Sequence, residues 1–326
     1  IWLKSYQRTN DKNSYPGRPI QFYPGTNQKL MSSWKGKTRG NLAGYRFFIF
    51  LLKYPGLRFS YFFLRFVVLY FVLFSPKARK PIFQYFHEIL HFNYLKSIRF
   101  TFKNFHLLGQ VLLDKVALLA GFSSKFTFDF DGENYIREMA ASEGGLLIGA
   151  HIGNWEIAGQ LLERIETKVH IVMLEAEHEK IKHLLDNVMT KKKMGIITIQ
   201  DDFSHLFAIK DALSRNELVA IHGDRFLPGS KTIEANFLGK PADFPVGPFY
   251  LAIKYKKPVT FVSALKETAT HYHFYATKPK LYEAKQNALS RDAQLLLILN
   301  DYINEMEKIL KKHPEQWFNY YYFWAK

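Results

Sequence analysis

Residues Gly144 to Leu162 read GGLLIGAHIGNWEIAGQLL, and the fold of the whole chain is read outward from them. A glycine pair opens onto Leu146-Leu147-Ile148, flanked by Gly149 and Ala150, an apolar run short enough for a fully buried strand. His151 follows, then Gly153, Asn154 as an N-cap, and a helical pattern from Trp155 to Leu162. The pattern predicts strand, tight turn and helix. His151 and Glu156 are five residues apart. On one continuous helix of about 3.6 residues per turn they would point away from each other. With the histidine in the turn and the glutamate in the first turn of the helix, the two side chains converge. A carboxylate that accepts from one imidazole nitrogen fixes the tautomer and makes the other nitrogen a better base.

Downstream, short apolar runs alternate with helical patterns. Strands are expected at Val169–Leu174, Met194–Gln200 and Leu218–His222, with helices at Glu177–Met189 and Phe203–Leu213. Lys191-Lys192-Lys193 reads as a solvated turn or as an edge that touches anionic headgroups. The alternation argues an α/β domain with a largely parallel sheet, whose sites gather at the carboxyl ends of the strands. Both His151 and Gly223-Asp224-Arg225 follow expected strands, so both open onto one edge. Arg225 has the fork to hold a phosphate or carboxylate bidentately; the alternative is a surface salt-bridge turn. Further on, a helix at Phe249–Tyr255 leads through Lys257-Pro258 to a strand at Val259–Ala264. Another strand is expected at Tyr272–Ala276, and an amphipathic helix at Arg291–Leu310 closes the domain. Upstream, Asp129-Phe130-Asp131-Gly132 opens like a calcium loop, but its glycine comes too early for an EF-hand. It reads as a turn into a helix over Tyr135–Ala141.

At 326 residues the chain is long enough for one large or two ordinary domains. Its 48% hydrophobic content excludes global disorder. The formal net charge of +16 implies an anionic partner, either lipid headgroups or nucleic acid. With no cysteine, disulfides, thiolate metal sites and a cysteine nucleophile are excluded. The polar stretch over residues 1–33 reads as a linker or N-terminal extension. Gly36-Lys37-Thr38 invites a phosphate-loop reading that fails, because Met31 stands where the first glycine is required. Residues 34–120 form an aromatic-rich helical region that associates with a membrane, and 121–326 form the α/β core, or 34–326 form one unit. Within the first of these, Tyr45 to Phe74 is apolar and aromatic, is interrupted by Pro55-Gly56, and carries Lys53, Arg58 and Arg65. It reads as a short anchor with snorkelling arginines or as a helical hairpin lying in the interface. The soluble alternative is a buried helix pair.

Pro81 to Leu119 reads as mostly helical and contains His87-Glu88-Ile89-Leu90-His91, which matches the zinc-peptidase pattern His-Glu-x-x-His. Tyr94 stands where the extended metzincin pattern has a glycine. A third ligand would have to come from a residue such as His106 or Asp114, with no supporting motif. The bland alternative is a pair of half-exposed histidines.

Ala150-His151-Ile152-Gly153-Asn154-Trp155-Glu156 resembles the His-x-x-x-x-acid motif of glycerolipid acyltransferases. Its Gly-Asn-Trp-Glu is similar to the late acyltransferases of lipid A biosynthesis, within the lysophospholipid acyltransferase superfamily. Gly223-Asp224-Arg225-Phe226 and Phe237 to Pro248 resemble later blocks of that family, as does the tail His313-Pro314-Glu315-Gln316-Trp317-Phe318. The second of these blocks implies a turn and a proline-containing loop before the helix. The tail departs at Asn319-Tyr320-Tyr321-Tyr322-Phe323-Trp324, where the family often has basic residues, which suggests a different acceptor headgroup or extra membrane contact. The resemblance implies a three-layer αβα core with a mostly parallel sheet and a membrane-facing groove. It implies that His151 deprotonates an acceptor hydroxyl, that Glu156 orients His151, and that Asn154, Asp224 and Arg225 bind substrate. Phe244 and Pro245 would line the acyl groove, and backbone amides near Gly153 and Asn154 are candidates for stabilising the oxyanion. No metal or cofactor is implied, because an acyl-carrier-protein or coenzyme A thioester brings the activation. The implied setting is a monomer on the cytoplasmic face of a bacterial inner membrane, spanning once or monotopic, with a lipid A precursor or related lipid as acceptor. Against this stand two other classes: the zinc peptidase, and a non-catalytic basic protein that binds anionic membranes. Nucleic acid ranks last, because the aromatics cluster in apolar runs rather than standing singly along a charged groove.

Overall fold

Along β2 (Gly145–Gly149) every residue is buried, as an apolar run at the centre of a parallel sheet requires. The computed structural model describes residues 42–119, 121–122, 125–158, 167–174, 194–200, 202, 204–226, 229–282 and 290–324. The helix expected over Glu177–Met189, the lysine run at 191–193 and the stretch before residue 42 lie outside the described residues. The other strands are β1 (Thr127–Asp131), β3 (Val169–Leu174), β4 (Met194–Ile199), β5 (Leu218–His222), β6 (Thr232–Phe237), β7 (Lys240–Pro245), β8 (Val259–Lys266) and β9 (His271–Ala276). Seven of them make one sheet in the order β1-β9-β8-β2-β5-β3-β4, parallel except for the β8–β9 pair. β6 and β7 form a separate antiparallel hairpin.

Alternate residues of β2 feed opposite layers, as the period of a strand dictates. Leu147 packs with Val169, Leu218 and the buried face of α5 (Glu133–Ala141), which supplies Ile136, Met139 and Ala140. Leu146 and Ile148 join the larger core with α6 (Ser204–Ser214), α7 (Gly247–Tyr255) and α8 (Arg291–Lys312). The core is thus helices on both faces of a mostly parallel sheet, the three-layer αβα arrangement expected.

A helical layer precedes it, made of α1 (Leu42–Lys53), α2 (Leu57–Phe74), α3 (Pro76–Gln84) with a π turn at Tyr85–Ile89, and α4 (Tyr94–Leu119). Leu57, Tyr61, Leu64 and Val68 recur at helical spacing on the buried side of α2. They pack with Leu113 and Ala117 of α4 and with Ala264, Tyr272 and Phe274 of the sheet. Gly109 makes that approach possible: a Cβ there would lie 2.8 Å from Leu64 Cδ1. The rest of α2 leaves Phe59, Phe62, Phe66, Leu69, Tyr70, Leu73 and Phe74 exposed, an apolar surface of the kind that marks a membrane contact. By length and composition α2 suffices to cross a bilayer, with a mean hydropathy of 1.8 over 18 residues.

Three expectations change. Asp129-Phe130-Asp131 belongs to β1 rather than to a turn, because Phe128 and Phe130 pack on Phe274 of the neighbouring β9. The segment from Phe237 to Pro245 is a strand hairpin rather than a loop, turned by Leu238 and Gly239, both at positive φ. The helix after His151 opens as a short 3₁₀ turn, Trp155–Ala158, and residues 159–166 lie outside the described set.

Candidate active site

β2 and β5 pair in register, Gly149 beside His222, so the residues two positions beyond each strand end come together. Those residues are His151 and Asp224. Asp224 Oδ1 lies 2.8 Å from His151 Nδ1, and Asp224 Oδ2 accepts from the His151 backbone N–H at 3.0 Å and from the Trp317 indole N–H at 3.3 Å. Both side chains are buried. Burial alone pushes the Asp224 carboxyl up, but the His151 charge and hydrogen bond and the Arg225 charge outweigh it and hold the group well below the usual carboxylate range. An ionised carboxylate can only accept, so Nδ1 of His151 carries the proton and proton transfer falls to Nε2.

Glu156 sits on the 3₁₀ turn and its side chain is outside the described set; the carboxylate at Nδ1 is Asp224, 73 positions away. Asp224 is thus bonded to both the ring and the backbone of the histidine. Parallel pairing of β2 and β5 brings Asp224 to His151.

Asn154 is fully buried. Its Oδ1 accepts from Ile157 N at 3.3 Å, the N-cap bond, and its Nδ2 donates to the Tyr272 hydroxyl at 3.2 Å. The expected oxyanion donors are also engaged. Gly153 N donates to Gln316 O at 2.8 Å and Asn154 N to Ala264 O at 2.7 Å. Gly153 has φ +66°, and a Cβ there would fall 2.0 Å from Ala264 O, so only glycine fits this turn. Arg225 Nη2 donates to Phe318 O at 2.7 Å, while its buried Nε has no hydrogen-bond partner. Phe244 lies in the core against Phe237, Tyr302 and Phe323, and Pro245 beside it is buried. Neither lines an open groove, because the β6–β7 hairpin turns them inward.

One contributor escaped the sequence reading, and another was legible there only as a motif. His222, the last residue of β5, lies against His151 with ring centroids 4.4 Å apart, and Trp155 closes on both rings. Burial, with the His151 charge second, holds the His222 imidazole down at about 3, so it is neutral near pH 7. Its position at a strand end next to that of β2 was the available signal. The second contributor is the tail. Trp317 reaches Asp224, Phe318 N donates to His151 O at 2.9 Å, and the Tyr321 hydroxyl donates to Asp224 O at 3.0 Å.

Among the described residues, His151, His222 and Asp224 are the group whose donor atoms could hold a metal ion, all within 4.8 Å of one another. His151 and Asp224 of this group are hydrogen-bonded to one another. The zinc-peptidase pattern does not assemble. His87 Nδ1 is bonded to Phe92 O at 2.8 Å, and His91 falls past the π turn at φ 54°, so the two histidines do not share a helical face.

The buried His151–Asp224 pair thus stands at the carboxyl edge of a mostly parallel sheet, beside an aromatic-rich helical layer. The model of the bacterial lipid A biosynthesis acyltransferases matches residues 103–324, and the chain belongs to that family. The solved structures include a similar fold, the 1-acyl-sn-glycerophosphate (LPA) acyltransferase PlsC from Thermotoga maritima. It is 12% identical, with a TM-score of 0.39, over 78% of this chain and 97% of that one. No curated protein matches the sequence.

Proposed function

We propose that the protein is a membrane-associated O-acyltransferase that moves a fatty acyl chain from a thioester, on acyl carrier protein or coenzyme A, to a hydroxyl of a lipid A precursor or related lipid. The observation that carries the mechanism is the 2.8 Å bond between His151 Nδ1 and Asp224 Oδ1. Asp224 holds the tautomer, so His151 Nε2 takes the proton of the acceptor hydroxyl as its oxygen attacks the thioester carbonyl carbon. The tetrahedral intermediate collapses, the C–S bond breaks, and the leaving thiolate takes the proton back from Nε2. An ester and a free thiol result. General acid–base catalysis of this kind contributes about 10²–10⁴-fold.

The exposed apolar residues of α2, with Phe47, Ile49 and Phe50 of α1, support seating at a bilayer. Each such side chain contributes about 1.5–3 kcal/mol when fully buried, so partial insertion of several suffices for attachment. Lys53, Arg58, Arg65, Lys77, Arg79 and Lys80 punctuate or follow these helices and suit an anionic surface. A monotopic setting on the cytoplasmic face of a bacterial inner membrane brings thioester and lipid to one place.

The test is acyl transfer by membranes carrying the wild-type protein or His151→Ala, offered labelled acyl carrier protein and acyl-coenzyme A with a panel of lipid acceptors. Products are read by mass. A lipid that gains one acyl chain with the wild type and none with the variant is the expected result; equal transfer by both removes His151 as the base.

A further inference from the structure

One buried cluster has no part in this chemistry. Asp114 of α4 accepts hydrogen bonds from Lys266 Nζ at the end of β8, from the Tyr61 hydroxyl of α2 and from the Tyr272 hydroxyl of β9. Lys266 Nζ also reaches Ala269 O at 2.7 Å and the hydroxyls of Tyr61 and Tyr272 at 3.2 and 3.3 Å. All four side chains are buried. A buried ion pair is a weak source of stability compared with apolar packing, so its retention calls for another role. What it supplies is direction. Apolar faces tolerate sliding, whereas a carboxylate with three donors fixes three elements relative to one another.

Two arms lead from this node to the catalytic turn. In the first, the Tyr272 hydroxyl accepts from Asn154 Nδ2 at 3.2 Å, three residues from His151. In the second, the backbone N and O of Lys266 pair with Gln316 Oε1 and Nε2, both at 2.9 Å, and Gln316 O accepts from Gly153 N at 2.8 Å. A third arm leads outward: Tyr61 is on α2, the helix whose phenylalanines stand exposed.

We propose that Asp114 is a positioning residue for His151, acting through Tyr272 and Asn154, and that its bond to Tyr61 ties that position to the seating of α2 on a lipid bilayer. The kinetic consequence rests on the acyltransferase reading; the placement of the histidine does not.

The experiment compares the full chain in detergent micelles and in phosphatidylglycerol nanodiscs, as wild type, Tyr272→Phe and Tyr61→Phe. Two readouts are taken: kcat and KM for acyl transfer, and the low-field proton resonance of the His151 Nδ1–H···Asp224 bond in ¹⁵N-histidine protein. Tyr272→Phe is expected to displace that resonance and to lower kcat about tenfold or more with KM unchanged, as misplacement of a catalytic group does. Tyr61→Phe is expected to bring the nanodisc-to-micelle ratio of kcat, raised in the wild type, down to about one. If Tyr272→Phe lowers only the thermal midpoint and leaves kcat and the resonance as in the wild type, the node is merely structural and the proposal falls. If the wild-type ratio is already one, or survives Tyr61→Phe, the membrane arm is overturned. If the wild type transfers no acyl chain at all, the functional reading has failed, and the resonance still decides the positioning claim.

Discussion

Asp224 at the sheet edge and Asp114 beneath the helical layer are both almost wholly buried, and each carboxylate accepts three hydrogen bonds. Their electrostatics nonetheless run in opposite directions. At Asp224 the charge and hydrogen bond of His151 outweigh burial and hold the carboxyl down. At Asp114 burial wins over the attraction of Lys266 and pushes the carboxyl up, while burial pushes the Lys266 ammonium down. Donor count does not separate the two; position in the fold does. Asp224 lies beyond a strand end, with Arg225 and an imidazole at hand. Asp114 of α4 is clamped by donors from α2, β8 and β9, where its cationic partner is buried with it. One carboxylate is bonded to a histidine at the sheet edge, the other to a lysine and two tyrosines in the interior.

The contrast breaks first on stability. Lys266→Met leaves Asp114 buried without its cation and is expected to destabilise the fold by about 3–5 kcal/mol, read by urea denaturation. Asp114→Asn/Lys266→Met together should recover most of that loss, since both charges then leave the interior. A double variant no better than the single one would place the effect in packing rather than charge.

A smaller effect concerns pH. His222 titrates at about 3 in the folded protein against an ordinary 6.5, so between those values the unfolded chain binds more protons than the folded one. Asp224, held low, has the same sign: its contribution is present above the unfolded carboxylate range and is lost as pH falls through the folded value. The urea midpoint of the wild type is therefore expected to fall as pH drops below about 6.5, and His222→Gln to flatten that slope. An unchanged slope would mean that His222 is not held neutral by burial.

The smallest effect belongs to the outer face of α2. Phe62→Ser or Phe66→Ser is expected to weaken partitioning to anionic vesicles by about 1 kcal/mol, roughly fivefold, without changing the thermal midpoint. A variant that unfolds instead would place these rings in the core.

The sequence carried the αβα core because β2, β3 and β5 are buried runs bounded by glycine and charge, which period and length identify. The tail block Gln316-Trp317-Phe318 was legible as a motif, but not its contacts with His151 and Asp224. Local reading failed where a long-range contact decided the outcome. Asn154 satisfied its N-cap role, yet its amide turned inward because Tyr272 offered a buried hydroxyl. Phe244 looked like groove lining until the hairpin, set by two positive-φ residues at Leu238 and Gly239, directed it into the core. His151 and Asp224 were legible as neighbours on one sheet edge, but not their hydrogen bond, which strand register sets.

The most direct test of the account is single-turnover acyl transfer by Asp224→Asn and Glu156→Gln, measured side by side with the wild type and with folding checked by thermal midpoint. An asparagine at 224 offers either an amide donor or a weaker acceptor to Nδ1 and no longer holds the tautomer. The account predicts that this variant stays folded and loses about 10²–10⁴-fold in rate, more than Glu156→Gln loses. A folded Asp224→Asn protein that transfers the acyl chain at the wild-type rate would contradict it.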